Sequence, residues 1–585
     1  MFSSVRSPAR DIIRDSKPDE DAITLLSSRV LPPSYSFEDL YRELVDEGQE
    51  GEDEELENLV ILASCLKENS NILKKADDDI WHEKLEDYLS KELLPDGKIF
   101  SLDKIDGNVS LVNSDIWSIN SYFLEEDKSD KVHEIKQRKE KYNLCIISIE
   151  NLLSISSNTS QPPNNSTLLS LIPFASTNYA WTTPQSQLIA ITILDKYESY
   201  AKSPEFLVNH LLRSFIRLIF SEAPTPESIT ASSRKAFPSS APPRHFDILE
   251  SSPSKQPWRS TIPYTIPVLQ WIVDVIPPDL LRAQAWPLLT TPILILLDSP
   301  SNPIRIHALR ILPTLFSKMG DKLLQQTGLG DVFENTIHPV LLFLPSTTPV
   351  EETLRLLPEG YKALHALCNA IWPSRGDGES SNSVNTIAIK KPSKHNTTPS
   401  KSPAQLRLAF LDRIIRHAIL PAYLHCQEIP SVVEILVIQI GIIIPEMRIS
   451  GVKHLKDILP ILVNILSNPF FPDTSPSLVI NTLKTLRGVI LVFWPRISTD
   501  EHRLVIISAL TLLNCHICSN GDEKSEEQKE ASSEILNELL ETGKLFKAVV
   551  QQAGDENERE NFERELARII ETDGTLARVF PRLLC

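Results

Sequence analysis

Glycine is scarce in this chain of 585 residues: it has only 17 glycines, whereas its 43 prolines exceed the usual proportion. Sandwich, barrel and nucleotide-binding α/β folds use many glycines in their turns, so the composition argues against these three classes. Proline is compatible with a helical protein, because it is favoured at the first position of a helix. A chain of this length is a multidomain protein or a repeat array with a continuous core.

Positively charged residues are also outnumbered by negatively charged ones: the chain has 59 Lys and Arg against 77 Asp and Glu, and its formal net charge is −18. Such an acidic surface repels phosphate backbones and anionic membranes, so we expect no direct binding to nucleic acid or to a membrane. The seven cysteines are odd in number and mostly far apart, unlike the framework of a secreted disulfide protein. They predict a reducing compartment.

The chain also lacks an obvious membrane or targeting segment. Residues Met1 to Lys17 carry several charges and no apolar stretch, which does not fit a signal peptide. The longest apolar segment that we identified, Ile435 to Ile444, is far shorter than the roughly 20 residues that cross a bilayer. We therefore expect a soluble protein.

A polar residue followed by proline recurs ahead of apolar stretches. A Ser, Thr or Asn oxygen can accept an unpaired N–H at a helix start, and proline there loses no hydrogen bond. The motif predicts helix starts at Thr183-Pro184, Ser203-Pro204, Asn302-Pro303, Thr348-Pro349, Ser402-Pro403 and Ser475-Pro476. Glu351, three residues after Thr348, predicts a capping box there.

The stretches that follow have helical periodicity. One set is Ile304, Ala308, Ile311, Leu312, Leu315 and Met319, with His307, Arg310 and Lys318 elsewhere; another is Val479, Leu483, Leu486, Ile490 and Phe493. Helices also pair across short loops, as in Asp279 to Leu297 with the helix from Pro303, or the helix ending near Leu466 with the helix from Pro476. The sequence therefore predicts an all-α, HEAT/armadillo-like α-solenoid of stacked helical hairpins.

Four stretches interrupt this pattern and are predicted to be loops or disordered linkers: Glu47–Glu57, Ser221–Pro263, Ser374–Lys401 and Ser519–Lys529. We predict an N-terminal helical region with an acidic loop at residues 1–160. A middle HEAT-like block at 161–373 contains a Pro/Ser-rich insertion at 221–263. A linker at 374–401 then leads to a C-terminal HEAT-like block at 402–585.

No motif predicts catalysis, a cofactor or a metal site. Cys515-His516-Ile517-Cys518 lacks the second ligand pair that a zinc site needs, so packing at a helix end is the better interpretation. Gly328-Leu329-Gly330 lacks the third glycine of a dinucleotide loop, and predicts a turn in which Gly330 and Asp331 end one helix and cap the next. We expect no enzyme.

The tetrapeptide from Trp494 to Ile497, Trp-Pro-Arg-Ile, has two interpretations. It is either a bulky helix terminus, stopped by proline with Arg496 facing the last carbonyls, or a contact for a partner. Trp494 and Arg496 are the candidate partner-binding residues.

Two segments resemble known families. The first, Leu297 to Leu309, resembles the turn and second helix of a HEAT repeat, with Asp298, the Ile304-Arg305 pair and Ala308 in order. In HEAT repeats such an Asp and Arg commonly bond within or between neighbouring repeats, and the resemblance implies this role for Asp298 and Arg305.

The second resemblance, over roughly Pro287 to Ile497, is to the Tel-two-interacting-protein-two family. It is carried by Thr327–Glu334, Leu342–Pro345, Leu459–Leu462, Leu466–Phe470, Leu478–Val492 and Trp494–Ile497. The resemblance implies a scaffold subunit of a trimeric co-chaperone, with two larger helical-repeat subunits. That complex binds newly made phosphatidylinositol-kinase-related kinases and helps the heat-shock-protein-ninety machinery to mature them.

Such kinases serve DNA-damage, telomere and nutrient signalling, so we expect a cytoplasmic and nuclear protein. Three alternatives remain open at this point. The first is a HEAT-repeat scaffold or adaptor for other cargo, of the transport or phosphatase type. The others are a nucleic-acid binder that uses Lys390 to Arg407 as a basic strip, and a hydrolase with no recognisable motif.

Overall fold

The computed structural model describes residues 2–15, 31–46, 52–73, 75, 78–100, 125–155, 162–224, 226–236, 256–373, 402–519, 526–553 and 556–580. These residues are mainly helical and include two isolated β-bridges but no strand, which confirms the all-α prediction. The chain divides into two compact units, Met1–Val332 and Phe333–Cys585. The four-part division stays a prediction, and its linker at 374–401 lies outside the described residues.

The first unit packs its helices as successive neighbours. The helix Glu52–Lys67 packs against Ser3–Asp15 and Glu125–Ile155, and Asp78–Glu92 packs against Glu125–Ile155 and Asn165–Leu171. Likewise, Thr265–Val275 and Trp286–Leu297 both pack against Asn302–Thr327. The α-helices are α1 (Ser3–Asp15), α2 (Phe37–Tyr41), α3 (Glu52–Lys67), α4 (Asp78–Glu92), α5 (Glu125–Ile155), α6 (Asn165–Leu171), α7 (Pro184–Lys196), α8 (Glu198–Ala201), α9 (Arg217–Ile219), α10 (Pro257–Ser260), α11 (Thr265–Val275), α12 (Pro278–Leu280), α13 (Trp286–Leu297) and α14 (Asn302–Thr327). Segments of π-helix span Arg42–Asp46, Glu205–Ile216 and Leu281–Ala285, and 3₁₀ turns span Asn69–Asn71 and Ile172–Phe174.

Helix α15 (Leu329–Ile337) contains the division, and the second unit continues from it. Its α-helices are α16 (Val350–Ile371), α17 (Pro403–Ile414), α18 (Leu420–Cys426), α19 (Pro430–Met447), α20 (Leu455–Leu466), α21 (Phe471–Thr474), α22 (Pro476–Val492), α23 (Trp494–Ile497), α24 (Asp500–Ser519), α25 (Glu526–Ala553), α26 (Glu556–Thr572) and α27 (Leu576–Val579). A π-helical segment spans Ile415–Ile419, and 3₁₀ turns span His338–Leu342 and Arg448–His454.

The second unit is a stack of antiparallel hairpins. Helix α18 pairs with α19, α20 with α22, and α24 with α25. The second helices α16, α19, α22 and α25 pack side by side in one layer, and the first helices α20 and α24 pack in another. This order is that of an α-solenoid, so the predicted architecture is confirmed.

The two predicted apolar stripes are both buried. The six predicted stripe residues of α14 are buried in the core. The five stripe residues of α22 and its end are buried too: Val479, Leu483, Leu486, Ile490 and Phe493. Lys318 lies off the stripe and its Nζ donates hydrogen bonds to three carbonyls at the end of α11: 2.7 Å to Val273, 2.7 Å to Asp274 and 3.0 Å to Ile276. A lysine at a helix C-terminus satisfies carbonyls that have no partner within the helix.

His307 was expected off the stripe, yet it is buried. Its ring stacks on Tyr179 at 5.4 Å, and Tyr179 stacks on Trp181 at 5.0 Å. Burial lowers the pKa of His307 to about 4, with a further contribution from the charge of Arg310. The periodicity of the stripe could not reveal this contact, because Tyr179 is far away in the sequence.

Part of the first acidic stretch is helical, which corrects the prediction of a loop. Glu52 to Glu57 form the start of α3, where negative charge is favourable beside the helix N-terminus. Lys141 of α5 places its Nζ 2.5 Å from Glu55 and 2.6 Å from Glu92 of α4. Glu526 to Lys529 likewise begin α25 rather than a linker.

Within the Pro/Ser-rich insertion, residues 226–236 form an ordered loop, and helix α10 (Pro257–Ser260) lies near its end. Ile229 and Lys235 form an isolated bridge, and Ser233 Oγ donates to the Pro287 carbonyl at 3.0 Å. Lys235 Nζ lies 2.6 Å from Asp331. Residue 225 and residues 237–255 of this insertion lie outside the described part of the chain.

Two of the predicted helix starts have the predicted capping residue and its side-chain hydrogen bond. Thr183 Oγ1 accepts from Ser186 N at 3.1 Å, and Ser402 Oγ accepts from Gln405 N at 3.3 Å. Helix α14 instead begins one residue early, with Ser301 at the N-cap. The capping box at Thr348 was wrong, because Pro349 occupies the N-cap of α16 and Glu351 therefore stands at the second helical position rather than the third.

The turn at residues 328–330 differs in detail from the prediction. Gly328, not Gly330, ends α14 in the left-handed region with φ 71°, while Gly330 and Asp331 lie inside α15. Glycine adopts this conformation without steric cost. A Cβ at Gly328 would also lie 2.8 Å from the Cβ of Lys235, so a larger residue would push that loop away.

The stretch Pro278–Leu297 is long and apolar enough to cross a membrane by length and composition, and it is longer than the apolar segment Ile435–Ile444 predicted to be the longest. Half of its most apolar window is buried within the protein. Its last helix, α13, forms a hairpin with α14 and contacts the π-helical segment Glu205–Ile216. The core helix of a repeat satisfies the same criteria, and this packing accounts for its apolar composition.

Candidate protein-binding surface

The Trp-Pro-Arg-Ile segment forms a single helical turn, α23, at the end of α22. Phe493 and Ile497 are buried and anchor this turn to the core. Trp494 is 48% exposed, and the Arg496 side chain is also exposed. The turn therefore presents both candidate residues to solvent while its flanking apolar residues hold it in place.

A corresponding turn follows the preceding second helix, α19. Arg448 ends α19, where its N–H donates to the carbonyls of Ile444 and Pro445. Its φ of 50° and ψ of −146° lie in a region that is almost restricted to glycine, so this arginine is held in a strained conformation. The next residue, Ile449, is 55% exposed.

Gly451 brings these two turns together. A Cβ at Gly451 would lie 3.1 Å from Cζ of Phe493, closer than ordinary van der Waals contact. The turn Arg448–His454 thus packs directly against the residue that precedes Trp494. We define the edge surface as Arg448, Ile449, Leu491, Trp494 and Arg496.

Sequence reasoning found two of these five residues and missed the others. Arg448 and Ile449 lie more than 40 positions before Trp494, and no motif links the two turns. Gly451, one of the few glycines in the chain, is the signal that the sequence offers for this contact. Glycine at such a position often marks a close approach of two segments.

A second Trp-Pro pair provides an internal comparison. Trp372-Pro373 follows α16 just as Trp494-Pro495 follows α22. The ring of Trp372 packs edge-on against Phe410 at 5.7 Å, and its carbonyl accepts from Arg407 Nη1 at 2.6 Å. Trp494 has no aromatic partner among the described residues, so the same local motif is covered in one repeat and exposed in another.

Further large apolar side chains are exposed on α19 and α22. Ile438 and Ile442 are exposed on α19, and Leu491 is exposed near the end of α22. The two helices approach closely at Gly441, where a Cβ would lie 2.8 Å from Thr485 Oγ1. Thr485 Oγ1 also donates to the Val437 carbonyl at 3.1 Å, which fixes the relative position of the helices.

Two side chains of the turn Arg448–His454 form a charged cluster with Asp412 of α17. Lys453 Nζ lies 2.7 Å and His454 Nε2 lies 2.8 Å from Asp412 Oδ1. Burial alone would raise the pKa of Asp412, but the hydrogen bond from Lys453 and the nearby cations lower it. Asp412 is therefore ionised and holds the turn against α17.

The HEAT-like segment has a structural role. Arg305 is buried, and its Nε donates to the Leu297 carbonyl at 3.0 Å and its Nη2 to the Ser299 carbonyl at 2.5 Å. Nη1 bonds Asn302 Oδ1 at 2.6 Å. Burial raises the pKa of Asp298, and the charge of Arg305 counteracts that shift. The guanidinium closes the loop between α13 and α14.

The Cys515–Cys518 segment lies near the end of α24. Cys515 is half-buried with its Sγ 3.9 Å from Asp573 Oδ2, and Cys518 is exposed. Burial raises the pKa of the Cys515 thiol, which therefore stays protonated at neutral pH. In the part of the chain that the structure describes, no group of three His, Cys, Asp or Glu side chains converges as metal ligands.

The stack of hairpins defines a class of protein, the HEAT-type helical-repeat proteins. The crystal structure of karyopherin Kap121p bound to the SUMO protease Ulp1p is 11% identical with a TM-score of 0.39, over 96% of this chain and 49% of that one. A crystal structure of importin beta is 11% identical with a TM-score of 0.33, over 95% of this chain and 65% of that one. The chain thus spans about half of the Kap121p chain.

A family model described as the Tti2 family matches residues 167–473, which is more than half of the chain. The chain belongs to the Tti2 family. The matched region includes the turn Arg448–His454 and ends before Trp494. No curated protein matches the sequence.

Proposed function

We propose that this chain is a non-enzymatic scaffold subunit of a trimeric co-chaperone complex. In that complex it joins two larger helical-repeat subunits, and together they stabilise and mature newly made phosphatidylinositol-kinase-related kinases with the heat-shock-protein-ninety machinery. The observation that carries the proposal is the family match over residues 167–473. The associated roles in DNA-damage and telomere signalling, and a location in cytoplasm and nucleus, belong to the same proposal.

The work of such a subunit is surface complementarity rather than chemistry. Stacked hairpins present a long surface on which another helical-repeat protein can lie. The edge surface has the composition of an energetic centre, because Trp and Arg are the residues that most often dominate binding energy. Trp494 and Arg496 are the residues that we assign to the partner contact.

The test is native purification of the tagged full-length chain from its own cells, followed by mass spectrometry. We expect two larger helical-repeat subunits in fixed proportion, together with kinase and chaperone components. Depletion of the chain should then shorten the half-lives of those kinases. Recovery of many exchanging clients instead would contradict the proposal and favour a transport or phosphatase scaffold.

A further inference from the structure

A Trp-Pro pair follows two second helices of the second unit, and only one of the two tryptophans is covered. After α16, the ring of Trp372 packs edge-on against Phe410 of α17 at 5.7 Å. Phe410 is only 1% exposed, so the first helix of the next hairpin closes over this tryptophan. After α22, Trp494 is 48% exposed and has no ring partner among the described residues. The covered pair therefore shows what the exposed pair lacks.

The covering helix α17 makes a second contact beside the ring. Asn369 stands three residues before Trp372, and its Oδ1 accepts a hydrogen bond from Nη2 of Arg407 at 2.9 Å. Nη1 of Arg407 also donates to the Trp372 carbonyl at 2.6 Å. Arg407 and Phe410 are three residues apart and share one face of α17. One helical face thus covers the tryptophan and the residue three positions before it.

The exposed pair has no use for an arginine at that place. Leu491 stands three residues before Trp494, is 55% exposed, and its side chain accepts no hydrogen bond. The Trp494 carbonyl already accepts from Ser498 Oγ at 2.9 Å. A cation buried against Leu491 would lose its hydration without gaining an acceptor. An aliphatic side chain therefore fits over Leu491 better than a cation does.

Charge does not select the occupant of this surface. Residues of both signs flank the turns after α19 and α22 in the sequence: Arg496 and Lys456 on one side of the balance, and Glu446, Asp457 and Asp500 on the other. This mixture favours neither an acidic nor a basic segment. The choice of partner therefore rests on the apolar groups of Leu491 and Trp494.

We propose that a partner subunit covers Trp494 with an α-helix that carries an aromatic residue and, three positions before it, an aliphatic one. The aromatic ring packs against Trp494 as Phe410 packs against Trp372, and the aliphatic side chain packs on Leu491. An α-helix satisfies its own backbone groups, and the described residues here offer no strand edge to extend. The inference rests on the proposed function, because it requires a stable protein partner, and it specifies the chemistry of the bound segment.

The experiment places photo-reactive p-benzoylphenylalanine at position 491 of the tagged full-length chain, expressed in its own cells. After irradiation and native purification, mass spectrometry identifies the cross-linked peptide. We expect one segment of one larger subunit, in which an aromatic residue follows an aliphatic residue by three positions. The same probe at Leu424, which is 74% exposed on α18, is the control and should not yield that peptide.

Substitutions then test the two contacts separately. Trp494→Ala should reduce recovery of the partner subunits roughly tenfold, whereas Trp494→Phe, which keeps a ring, should retain most of it. Leu491→Asn should also reduce recovery, because the amide would be buried without the arginine that serves Asn369. The matched control Leu424→Ala should leave recovery unchanged. Circular dichroism verifies that every variant is folded.

A double-mutant cycle tests the pairing of the two rings. The cross-linked aromatic residue of the partner is changed to leucine, alone and together with Trp494→Ala, and dissociation constants are measured with the purified subunits. An aromatic pair should give a coupling of about twofold to tenfold beyond the two single effects. Strictly additive effects would show that the rings do not touch.

The outcomes separate this inference from the proposed function. A recovered complex in which position 491 cross-links to this chain itself, to a second copy, to a partner segment without the stated spacing, or to nothing would overturn the inference alone. Undiminished recovery by Trp494→Ala would do the same. Failure to recover any stable complex would overturn the proposed function, and the inference with it. A cross-linked segment with the stated spacing and a coupled ring would support it.

Discussion

Gly451 lies so close to the ring of Phe493 that a Cβ on the glycine would stand 3.1 Å from Cζ. This contact joins the turn after α19 to the turn after α22, in two successive hairpins. It fixes the relative positions of Ile449 and Trp494, which have no direct link in the sequence. The binding surface that we assign therefore depends on the packing of a glycine against a phenylalanine.

Gly451→Val should lower the stability of the chain and disturb the edge surface together. Overpacking of this kind costs typically 1–3 kcal/mol, because Phe493 must move or the turn must shift. The free energy of unfolding, measured with urea, should fall by about that amount. Gly574→Val is the matched control, since its Cβ would meet nothing within 4 Å. Equal stability of the two variants would refute the contact.

Arg448→Gly should separate stability from binding. The substitution relieves backbone strain of about 1–3 kcal/mol but adds the unfolded-state entropy of glycine, about 0.5–1 kcal/mol. The substitution also removes the interaction that the Arg448 side chain makes within the chain. We therefore expect the unfolding free energy to stay within about 1 kcal/mol of that of the natural chain, while recovery of the partner subunits falls. A variant that is less stable and binds normally would show that the arginine serves the fold and not the partner.

His307 should make the stability depend on pH. Its pKa is lowered to about 4 in the folded chain, against about 6.5 when unfolded. The unfolded state therefore binds the proton first, so stability is full above pH 6.5 and is lost as the pH falls towards 4. The loss from this group amounts to about 2 kcal/mol between pH 7.5 and pH 5.

The measurement is urea unfolding at pH 7.5 and pH 5 for the natural chain and for His307→Phe, which keeps an aromatic ring against Tyr179. The variant should lose about 2 kcal/mol less on acidification. His133→Phe, at an exposed position, should behave like the natural chain. If all three chains show the same pH dependence, the buried environment assigned to His307 is incorrect.

Lys141→Met should destabilise the first unit. The substitution keeps the length of the side chain but leaves the carboxylates of Glu55 and Glu92 without their shared cation. Removing one member of a buried ion pair costs about 3–5 kcal/mol. The triple variant Lys141→Met/Glu55→Gln/Glu92→Gln should recover much of this stability. A single variant as stable as the natural chain would contradict the assignment.

The fold was predictable where the information is local. Proline after Ser or Thr marked the starts of α7 and α17, and the period of apolar residues marked the buried faces of α14 and α22. The errors at Thr348 and Gly330 are shifts of one or two residues, because several neighbouring residues can serve as a cap. Such alternatives differ by only about 1 kcal/mol, too little for a pattern to resolve.

The long-range contacts were not predictable from one sequence. Lys141 meets Glu55 and Glu92, and Gly451 meets Phe493, across 40 or more positions. Glu52–Glu57 has the composition of a solvated loop, whereas in the structure Glu55 pairs with Lys141 and Glu57 pairs with Arg10 on other helices. The candidate site shows the same limit: Trp494 and Arg496 were found from their local motif, whereas Arg448 and Ile449 depended on the packing of the next hairpin.

The most direct test of the account compares the natural chain with Trp494→Ala/Arg496→Glu in parallel native purifications. The control Leu218→Ala/Arg217→Glu alters a similar exposed pair in the first unit. We predict that the edge variant keeps its helicity and loses the two larger subunits roughly tenfold or more, while the control retains them. Undiminished recovery by the edge variant, or an equal loss of helicity and assembly, would contradict the assignment of this surface to a partner.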